Sequence, residues 1–355
     1  MGTRPEVIKM QSLYHSLKSD KLFDPVVCFT GQHMQLCEPL FEFFNIEVHH
    51  SLSVMEQSQT LSGIASKIFS SIPEVLQIEK PKMVMVQGDT TTALIVALSA
   101  FHEHIPVGHV EAGLRTGDLN APFPEEGNRS LISRISKFHF APTELAKSFL
   151  NQENIYENVY VTGNTVIDSL INTNKKVSNG HYKLDDYGLM ADGFVLITIH
   201  RRESFGEPLR NICCALKKLA DFYPEIRFVF PVHPNPKIRE TINELLKGIE
   251  NMKLLSPLPY PEFVFLMGRC RLLVTDSGGV QEEAPALGKP IVVLRETTER
   301  NEVAKLKSVI LAGANPTKIF DSVTHFLNSN KHIEPTFPFG DGTAANRIVE
   351  IIRNS

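Results

Sequence analysis

The sequence predicts an α/β protein that consists of two Rossmann-like domains with a cleft between them. Short apolar runs such as Lys82–Gln87 and Phe194–Ile199 have the length of buried strands, and helical patterns separate them. Each half of the chain contains one series of alternating strands and helices, and a polar stretch at Asn172–Asp192 separates the two series. A chain of 355 residues is also long enough for two domains.

The composition is ordinary for a globular protein and argues against several classes of partner. Hydrophobic residues make up 42% of the chain and the net charge is −4, so a nucleic-acid partner is not expected. Five cysteines without CxxC spacing indicate free thiols in a reducing compartment. The chain has neither a run of 18 apolar residues nor an apolar N-terminal signal region. We therefore expect a cytoplasmic protein without a membrane partner.

The first half of the chain predicts a domain over residues 1–170. Thr3 is placed to cap a helix at the N-terminus. The predicted strands are Pro25–Thr30, Lys82–Gln87, Ile105–Val110, Phe138–Ala141 and Val159–Thr162. The predicted helices are His33–Phe44, Thr60–Glu79, Ala93–Glu103 and one that begins near Pro124.

The second half predicts another Rossmann-like domain over residues 171–340. The predicted strands are Phe194–Ile199, Arg227–Val232, Lys253–Leu255, Leu272–Thr275 and Ile291–Leu294. The predicted helices are Leu209–Phe222, Val280–Leu287 and an amphipathic helix at Thr343–Ile352. We expect the last helix, over residues 343–353, to pack back on the N-terminal domain.

The N-terminus departs from the usual start of a Rossmann domain. Such a domain enters its first turn from a central strand, but Gly2 and Thr3 have only Met1 ahead of them. The strand position is therefore expected to be empty or filled by another segment, and unpaired buried backbone groups cost about 1–3 kcal/mol each. An apolar strand added before Gly2 is expected to raise the melting temperature.

The stretch from Val107 to Arg129 is the first candidate for an active site. A buried strand ends there, and the loop that follows is rich in Gly, Asn and Pro. Ligands of open α/β sheets bind outside the carboxyl ends of the strands. The alternative is a solvated loop whose acids pair with its own arginines. The charged residues of the stretch are Glu111, Arg115, Asp118, Glu125, Glu126 and Arg129.

Three other strand ends carry candidate functional residues, and two of them are suited to a phosphorylated ligand. In Asp276–Glu283 (DSGGVQEE), the glycines let a phosphate approach a helix N-terminus, and Glu283 lies one turn further on, within reach of a ribose. The turn is not GxGxxG, which favours a nucleoside diphosphate over a nicotinamide cofactor. His200 and Arg201 follow another strand and are suited to a pyrophosphate, unless they form a plain basic turn. Asp89 is either a base or the N-cap of the next helix.

These segments together resemble the non-hydrolysing UDP-N-acetylglucosamine 2-epimerases. They occur in the order and spacing of the family, cover nearly the whole chain, and include two long and highly specific motifs. The matching segments are GTRPEVIKM, GQHMQL, QGDTTTAL, GHVEAGLRTGDLNAPFPEEGNR, TGNTVIDSL, HRRESFGE, PVHPNP, DSGGVQEEAPALGKP and RETTERNE.

The resemblance implies a specific reaction on a B-type glycosyltransferase architecture. UDP-N-acetylglucosamine and UDP-N-acetylmannosamine would interconvert by elimination of UDP to a bound 2-acetamidoglucal, followed by re-addition. The family usually forms homodimers and supplies cell-surface polysaccharide synthesis. The resemblance implies no metal and no redox cofactor. The open alternatives are a hydrolysing epimerase, a retaining glycosyltransferase and an inactive, N-terminally truncated remnant that binds nucleotide-sugar.

The resemblance also assigns roles to residues of this sequence. The catalytic residues would be Asp89, Glu111, Glu125 and His200. The substrate-binding residues would be Arg4, Lys9, Arg129, Phe263, Ser277, Gly278, Gly279, Glu283 and Arg300. A second, activating site would include Gln32, Gln35 and Arg201, although Met34 and Ser58 stand where the family often has arginine.

Overall fold

The protein is an α/β molecule with two compact units, described here from a computed structural model. Unit 1 comprises Met1–Ser169 and Phe339–Ser355, and unit 2 comprises Leu170–Pro338. Each unit contains parallel β-sheet and flanking helices, which confirms the predicted fold class. Apart from the side chain of Arg202, the structure describes residues 1–32, 34–55, 59–180, 182–190, 193–329 and 332–355.

The elements alternate between strand and helix along the described part of the chain. The strands are β1 (Cys28–Phe29), β2 (His50–Ser51), β3 (Val84–Gln87), β4 (Val107–Val110), β5 (Phe138–Ala141), β6 (Val159–Val161), β7 (Val195–Thr198), β8 (Phe228–Pro231), β9 (Met252–Leu255), β10 (Leu272–Thr275), β11 (Ile291–Val293) and β12 (Val309–Leu311). The helices are α1 (Arg4–Lys18), α2 (Met34–Phe44), α3 (Leu61–Glu79), α4 (Thr91–His102), α5 (Glu125–Ile135), α6 (Glu144–Gln152), α7 (Thr165–Val177), α8 (Glu207–Phe222), α9 (Pro236–Leu246), α10 (Tyr260–Arg269), α11 (Gly278–Glu283), α12 (Asn301–Ala304), α13 (Pro316–Asn328) and α14 (Ala344–Arg353).

Unit 1 contains a four-stranded parallel sheet in the order β3-β4-β5-β6 and a separate parallel pair, β1-β2. Successive residues of β3 face opposite sides, as a pleated strand requires. Val86 packs in a cluster with α3 and α4, whereas Met85 packs against the cluster that contains β5, α1 and α14. Helices therefore cover both faces of this sheet, and α14 contributes Ile348 and Val349 to the second cluster.

The first residue lies beside β1. The Met1 ammonium donates to the Cys28 carbonyl at 3.0 Å, and the Thr30 amide donates to the Met1 carbonyl at 2.9 Å. In the part of the chain that the structure describes, β3 pairs with β4 alone and forms an edge of its sheet. The carboxylate of Glu6 accepts hydrogen bonds from the amides of Gly2 and Thr3, which satisfies donors at the start of α1.

Unit 2 contains a six-stranded parallel sheet in the order β12-β11-β10-β7-β8-β9. This is the doubly wound Rossmann order, in which the chain starts at a central strand and later returns to its other side. The order reverses between β7 and β10, which pair from Leu272 with Val195 to Thr275 with Thr198. Their carboxyl ends form the switch point at which sheets of this kind bind ligands.

Several predicted boundaries differ from the structure. The helix predicted at Val280–Leu287 begins earlier, at Gly278, because Ser277 forms the N-cap and accepts a bond from the Val280 amide at 3.4 Å. It ends at Glu283, and a 3-10 turn follows at Ala284–Leu287. The predicted polar linker Asn172–Asp192 begins within α7. His33, predicted as the start of a helix, and residues 181, 191 and 192 of that linker lie outside the described residues.

The predicted pattern also missed whole elements. It contained no counterpart of β2 or β12, and it left α6, α7, α9, α10, α12 and α13 unassigned. None of the described helices is long and apolar enough to cross a membrane.

The five cysteines are free thiols, and burial raises the pKa of Cys37, Cys213 and Cys270 to about 12. The reducing compartment expected from the sequence stays a prediction.

Two glycines of unit 1 are expected to respond to alanine with opposite signs. Gly113 has φ +89°, and a Cβ there would overlap the Ala146 carbonyl of α6. We expect Gly113→Ala to lower the free energy of unfolding by about 1–3 kcal/mol from the backbone strain alone. Gly127 lies in α5 with nothing within 4 Å of a Cβ, so Gly127→Ala should raise it by about 0.5–1 kcal/mol. Urea unfolding measures both, and an unchanged or raised stability of Gly113→Ala would contradict the packing at Gly113.

Candidate active site

Glu111 occupies a strained position directly after β4. Its φ of +65° lies in the left-handed region, which residues other than glycine seldom adopt. Such strain costs on the order of 1–3 kcal/mol and is concentrated at functional sites. The residue is only 7% exposed, although it is an acid. The strand end therefore places a buried carboxylate where the sequence predicts a catalytic acid.

The Glu111 carboxylate is surrounded by hydrogen-bond donors. Lys9 of α1 donates to Oε1 at 2.6 Å and to Oε2 at 2.8 Å. The side-chain amide of Gln87, the last residue of β3, donates to Oε2, and Asn164 Nδ2 donates to Oε1 at 3.2 Å. Buried charges are tolerated only when they are paired and hydrogen-bonded. These donors meet that requirement, and they bring the predicted residues Lys9 and Glu111 together.

Asp89 lies in the turn after β3, next to β4 in the sheet. The alternative role as a helix cap is wrong, because Thr90 caps α4 by accepting a bond from the Ala93 amide at 3.0 Å. The Asp89 side chain instead pairs with the Arg129 guanidinium. Burial raises the pKa of Asp89 and the Glu111 charge adds to this, although Arg129 opposes it. Asp89 thus binds a proton more readily than an exposed aspartate does.

The turn that carries Asp89 is fixed at its backbone. His109 Nε2 lies 2.7 Å from the Gly88 carbonyl, and Asn128 Nδ2 donates to the Asp89 carbonyl at 2.9 Å. Burial lowers the pKa of His109 to about 3, so the ring is neutral and donates from Nε2 to that carbonyl. These contacts hold the predicted catalytic acid from both sides without using its side chain.

The two adjacent acids at the start of α5 have different surroundings. Glu126 is buried, and its Oε1 accepts bonds from the amides of Thr116 and Gly117, each at 3.1 Å. It also pairs with Arg129 at 3.2 Å, so it holds the preceding loop to the helix. Glu125 has a buried Oε2 without a hydrogen-bond partner among the described residues. Glu126 Oε2 also lacks a hydrogen-bond partner among the described residues, but it is ion-paired with Arg129, whereas no ion pair to Glu125 is found in that part of the chain.

Arg115 has a structural position, although the acid that it pairs with, Glu153, lies outside the charged loop. Its guanidinium donates to both oxygens of Glu153, at 2.5 and 3.0 Å, and to Ser133 Oγ at 2.9 Å. These bonds tie the loop to α5 and to the end of α6. The Arg115 guanidinium also holds the pKa of Glu153 below its usual range. The charged stretch therefore contains both structural pairs and predicted catalytic acids.

The remaining predicted residues of unit 1 lie near the start of α1 and α2. Arg4 is the first residue of α1 and Met34 the first of α2. Gln32 Oε1 accepts a bond from Thr92 of α4 at 3.0 Å, whereas Gln35 is exposed on α2. Ser58 lies outside the described residues. The activating site stays a prediction.

In unit 2, Asp276 connects the two strand ends of the switch point. Its fully buried carboxylate accepts bonds from the amides of His200, at 3.1 Å, and Arg201, at 2.9 Å, and from Ser204 Oγ at 2.8 Å. The His200 ring lies 3.4 Å from the same carboxylate and is half-exposed. Asp276 was not among the predicted site residues, although its place in the DSGG motif is a signal. It fixes the turn that presents His200.

Two guanidiniums flank the glycine turn that follows β10. A Cβ on Gly278 would lie 3.1 Å from Arg300 Cζ and 3.3 Å from Arg201 Nη2. Ser277 and Gly279 complete the turn at the start of α11. Arg201 was predicted for a second, activating site, but in unit 2 it lies beside this turn. Backbone amides and guanidiniums in this arrangement suit a phosphate group.

Acidic side chains hold these arginines in place. Glu299 pairs with Arg295 at 2.6 Å, with Arg201 at 3.2 Å and with Arg300, and Glu282 pairs with Arg300 at 2.8 Å. Burial alone would raise the pKa of Glu299, but the three guanidiniums bring it down to about 2. Glu299 therefore remains charged throughout the physiological range of pH. The sequence indicated Arg300 but neither of these acids.

Glu283, the predicted ribose ligand, is buried and accepts a hydrogen bond from the Tyr260 hydroxyl at 2.7 Å. Tyr260 begins α10, and the predicted uracil-pocket residue Phe263 lies one turn further along this helix, half-buried. One helix thus carries both Phe263 and the partner of Glu283. Tyr260 was not predicted, because nothing in a single sequence links it to an acid 23 positions away.

An arginine-flanked glycine turn at a Rossmann switch point and a buried carboxylate cluster define an α/β enzyme that handles nucleotide-linked substrates. The family model for UDP-N-acetylglucosamine 2-epimerase matches residues 15–353. The chain therefore belongs to the UDP-N-acetylglucosamine 2-epimerase family, whose members are isomerases, and the resemblance found in the sequence is confirmed.

Individual relatives match over almost their whole length. The UDP-N-acetylglucosamine 2-epimerase of Yersinia pestis is 44% identical over 364 aligned positions, which cover 99% of this chain and 97% of the relative. That of Escherichia coli (strain K12) is 41% identical, with 100% and 97% covered. The crystal structure of the Neisseria meningitidis enzyme bound to UDP-GlcNAc has a TM-score of 0.92 and 41% identity, with 100% and 98% covered.

Asp276→Asn is expected to destabilise unit 2, because the new NH2 group cannot accept bonds from the amides of His200 and Arg201. A buried donor left without an acceptor costs about 1–3 kcal/mol. We expect the free energy of unfolding to fall by about that amount. Asp221→Asn, on the exposed surface of α8, is the matched control and should change little. Urea unfolding measures both, and equal stabilities for the two variants would contradict the role of Asp276.

Proposed function

We propose that the chain interconverts UDP-N-acetylglucosamine and UDP-N-acetylmannosamine without net hydrolysis. The observation that carries this proposal is the pair of acids at neighbouring strand ends of unit 1, Glu111 and Asp89. The C2 proton of the sugar is weakly acidic, since it is not alpha to a carbonyl. Elimination of UDP across C1–C2 gives a bound 2-acetamidoglucal, and UDP then adds back with a proton delivered to the other face of C2.

Unit 2 supports the nucleotide part of this proposal. The turn at Ser277, Gly278 and Gly279 would hold the diphosphate together with Arg201 and Arg300. Glu283 would bind the ribose and Phe263 the uracil. The Methanocaldococcus jannaschii enzyme was solved in complex with UDP-GlcNAc and UDP, which favours these ligands for the present chain. His200 would lie near the leaving diphosphate, where a cationic imidazole stabilises developing charge.

Unit 1 supports the part of the proposal that concerns the sugar. Asp89, Glu111 and Glu125 would surround it, with Arg4, Lys9 and Arg129 as binding residues. The buried Oε2 of Glu125 suits a hydroxyl or a transferable proton, because it has no partner among the described residues. We propose residues 1–170, with the helix at 343–353, as the domain that acts on the sugar. Residues 171–340 would form the UDP-binding domain.

We also propose that the enzyme works as a homodimer. Adjacent helices of unit 1 expose large apolar side chains, with Phe101 of α4 51% exposed and Leu131 of α5 57% exposed. Large contiguous apolar patches mark surfaces that bind another protein, and we propose that these two side chains contribute to one. A second copy of this chain is the partner that the family resemblance favours. Sedimentation velocity of the wild type and of the Phe101→Asp variant distinguishes dimer from monomer.

The reaction is tested by incubating the purified enzyme with UDP-N-acetylglucosamine in deuterated water. We expect deuterium at C2 of both epimers, because the proton that leaves C2 exchanges with solvent before a new one is delivered. Mass spectrometry and proton NMR measure the label. Retention of the original hydrogen throughout turnover would exclude elimination through the glucal. Accumulation of free N-acetylmannosamine and UDP would instead favour a hydrolysing epimerase.

Glu111→Gln and Glu125→Gln are each expected to lower kcat by about 10²–10⁴-fold, the usual contribution of a positioned acid or base. UDP affinity should change little, because the proposed UDP contacts belong to unit 2. Steady-state kinetics and titration calorimetry with UDP measure the two effects. Glu144→Gln, on an exposed position of α6, is the matched control and should keep wild-type turnover. Near-native kcat in either acid variant would remove that residue from the mechanism.

A further inference from the structure

Two buried amide side chains of unit 1 have no role in the reaction as proposed so far. Gln87 is the last residue of β3 and is 5% exposed, and Asn164 lies just before α7 and is 2% exposed. Both direct their NH2 groups to the Glu111 carboxylate. A buried polar side chain is costly unless it is hydrogen-bonded, so these positions need a reason.

The orientation of the Asn164 amide is fixed by its other contact. Asn164 Oδ1 accepts a bond from the Val166 amide at 3.1 Å, and a backbone N–H only donates. Asn164 Nδ2 must therefore face Glu111. The backbone N–H of Asn164 also donates to the Phe339 carbonyl at 2.6 Å, which fixes the backbone at this point. The donor is thus held on a rigid support, as is Gln87 within its strand.

The donors fill the acceptor positions of the carboxylate. Each oxygen of Glu111 accepts one bond from Lys9 and one from an amide. A carboxylate has about four lone-pair positions, so a donor must leave before Glu111 can take a proton. The Lys9 ammonium lies at the end of a flexible four-carbon side chain, whereas the side-chain amides belong to the buried residues Gln87 and Asn164. Lys9 is the donor that can leave.

We propose that Gln87 and Asn164 are positioning residues that hold the Glu111 carboxylate ionised and in one orientation, while Lys9 is the donor that withdraws. This rests on the proposed function of Glu111 as an acid–base group. Amides are suited to this role because they are neutral and donate at every pH. Lys9 can then turn to the substrate without leaving the carboxylate disordered.

The neighbouring acid is not held in this way. Asp89 pairs with Arg129, and a quarter of its side chain is exposed. Among the described residues, the charged and titratable groups that face Glu111 include Lys9 from α1, Asp89 from the turn after β3, and His109 from β4. The amides therefore act on one acid of the pair, which makes the proton affinities of Glu111 and Asp89 unequal.

The first test uses Gln87→Met and Asn164→Leu, which remove one donor each from different oxygens of Glu111. Loss of a donor to an ionised carboxylate favours the protonated form. We expect the acidic limb of the kcat–pH profile to move to higher pH by about one unit. This is about the pKa change that follows from loss of one hydrogen bond to a charged group. At neutral pH kcat should fall by about tenfold or more, whereas KM should change by less than about threefold. If one variant does not fold, the other tests the opposite oxygen.

Matched controls separate positioning from general loosening of the core. Gln11→Met removes a buried amide of α1 that bonds to Ser12 and Ser169, and it should leave the acidic limb unchanged. In the Glu111→Gln background, Gln87→Met should have almost no further effect on kcat, because Gln87 acts through that carboxylate. An equal shift in the Gln11 variant, or additive losses in the double variant, would overturn the proposal.

A second test does not depend on turnover. Glutamate labelled with ¹³C at the carboxyl carbon gives a Glu111 resonance that is identified by its absence in Glu111→Gln. We expect this resonance to titrate at higher pH in Gln87→Met than in the wild type. An unshifted titration overturns the role of the amides even if the enzyme epimerises. If the Glu111 resonance titrates at higher pH in Gln87→Met but the wild type gives no C2 exchange, the proposed function alone is overturned.

Discussion

Each unit contains a buried carboxylate that the protein must surround with donors. An ionised acid removed from water is tolerated only when other groups replace its hydration. Around Glu111 these donors come from α1, β3 and the residue before α7. Around Asp276 they are backbone amides and a hydroxyl from the turn after β7. Each acid therefore fixes segments that are far apart in the sequence.

Parallel strands explain why these acids lie at functional positions. All strands of one parallel sheet end on the same edge, so the turns that follow neighbouring strands come together. In unit 1 the neighbours β3 and β4 bring Asp89 and Glu111 together. In unit 2 the neighbours β7 and β10 bring His200 and Asp276 together across 76 positions of sequence. The sheet order, more than any local motif, creates the two clusters.

The sequence predicted the elements whose boundaries depend on local signals. Leu272–Thr275 agrees with the structure because its apolar run is bounded by Arg271 and Asp276, and Phe138–Ala141 agrees because its segment is bounded by Lys137 and Pro142. Pro25–Thr30 was predicted as a longer strand than β1, because an extended apolar segment counts as a strand only where a neighbour pairs with it. Pairing is a tertiary property, and so the ends of β1 could not be predicted from the sequence.

The candidate site could be predicted only in part for the same reason. Acids and histidine at strand ends are visible in the sequence, and the family motifs assign them roles. The contributions of Gln87 and Asn164 were not visible, because their partner Glu111 lies 24 and 53 positions away. Asp89 and Thr90 are both good helix caps, so only the structure shows that Thr90 caps α4 and leaves the Asp89 carboxylate to Arg129.

The two clusters also differ in how firmly their charge is fixed, and this difference matches the division of labour proposed for them. In unit 2, three guanidiniums hold the pKa of Glu299 to about 2, so the arginines beside the glycine turn keep one ionisation state across physiological pH. In unit 1, burial and the Glu111 charge raise the pKa of Asp89. A constant charge suits the binding of an anionic diphosphate, whereas an acid with raised proton affinity suits proton transfer. The ion pairs proposed to bind ligand are thus separate from the acids proposed to exchange protons, and each set has its own charged neighbours.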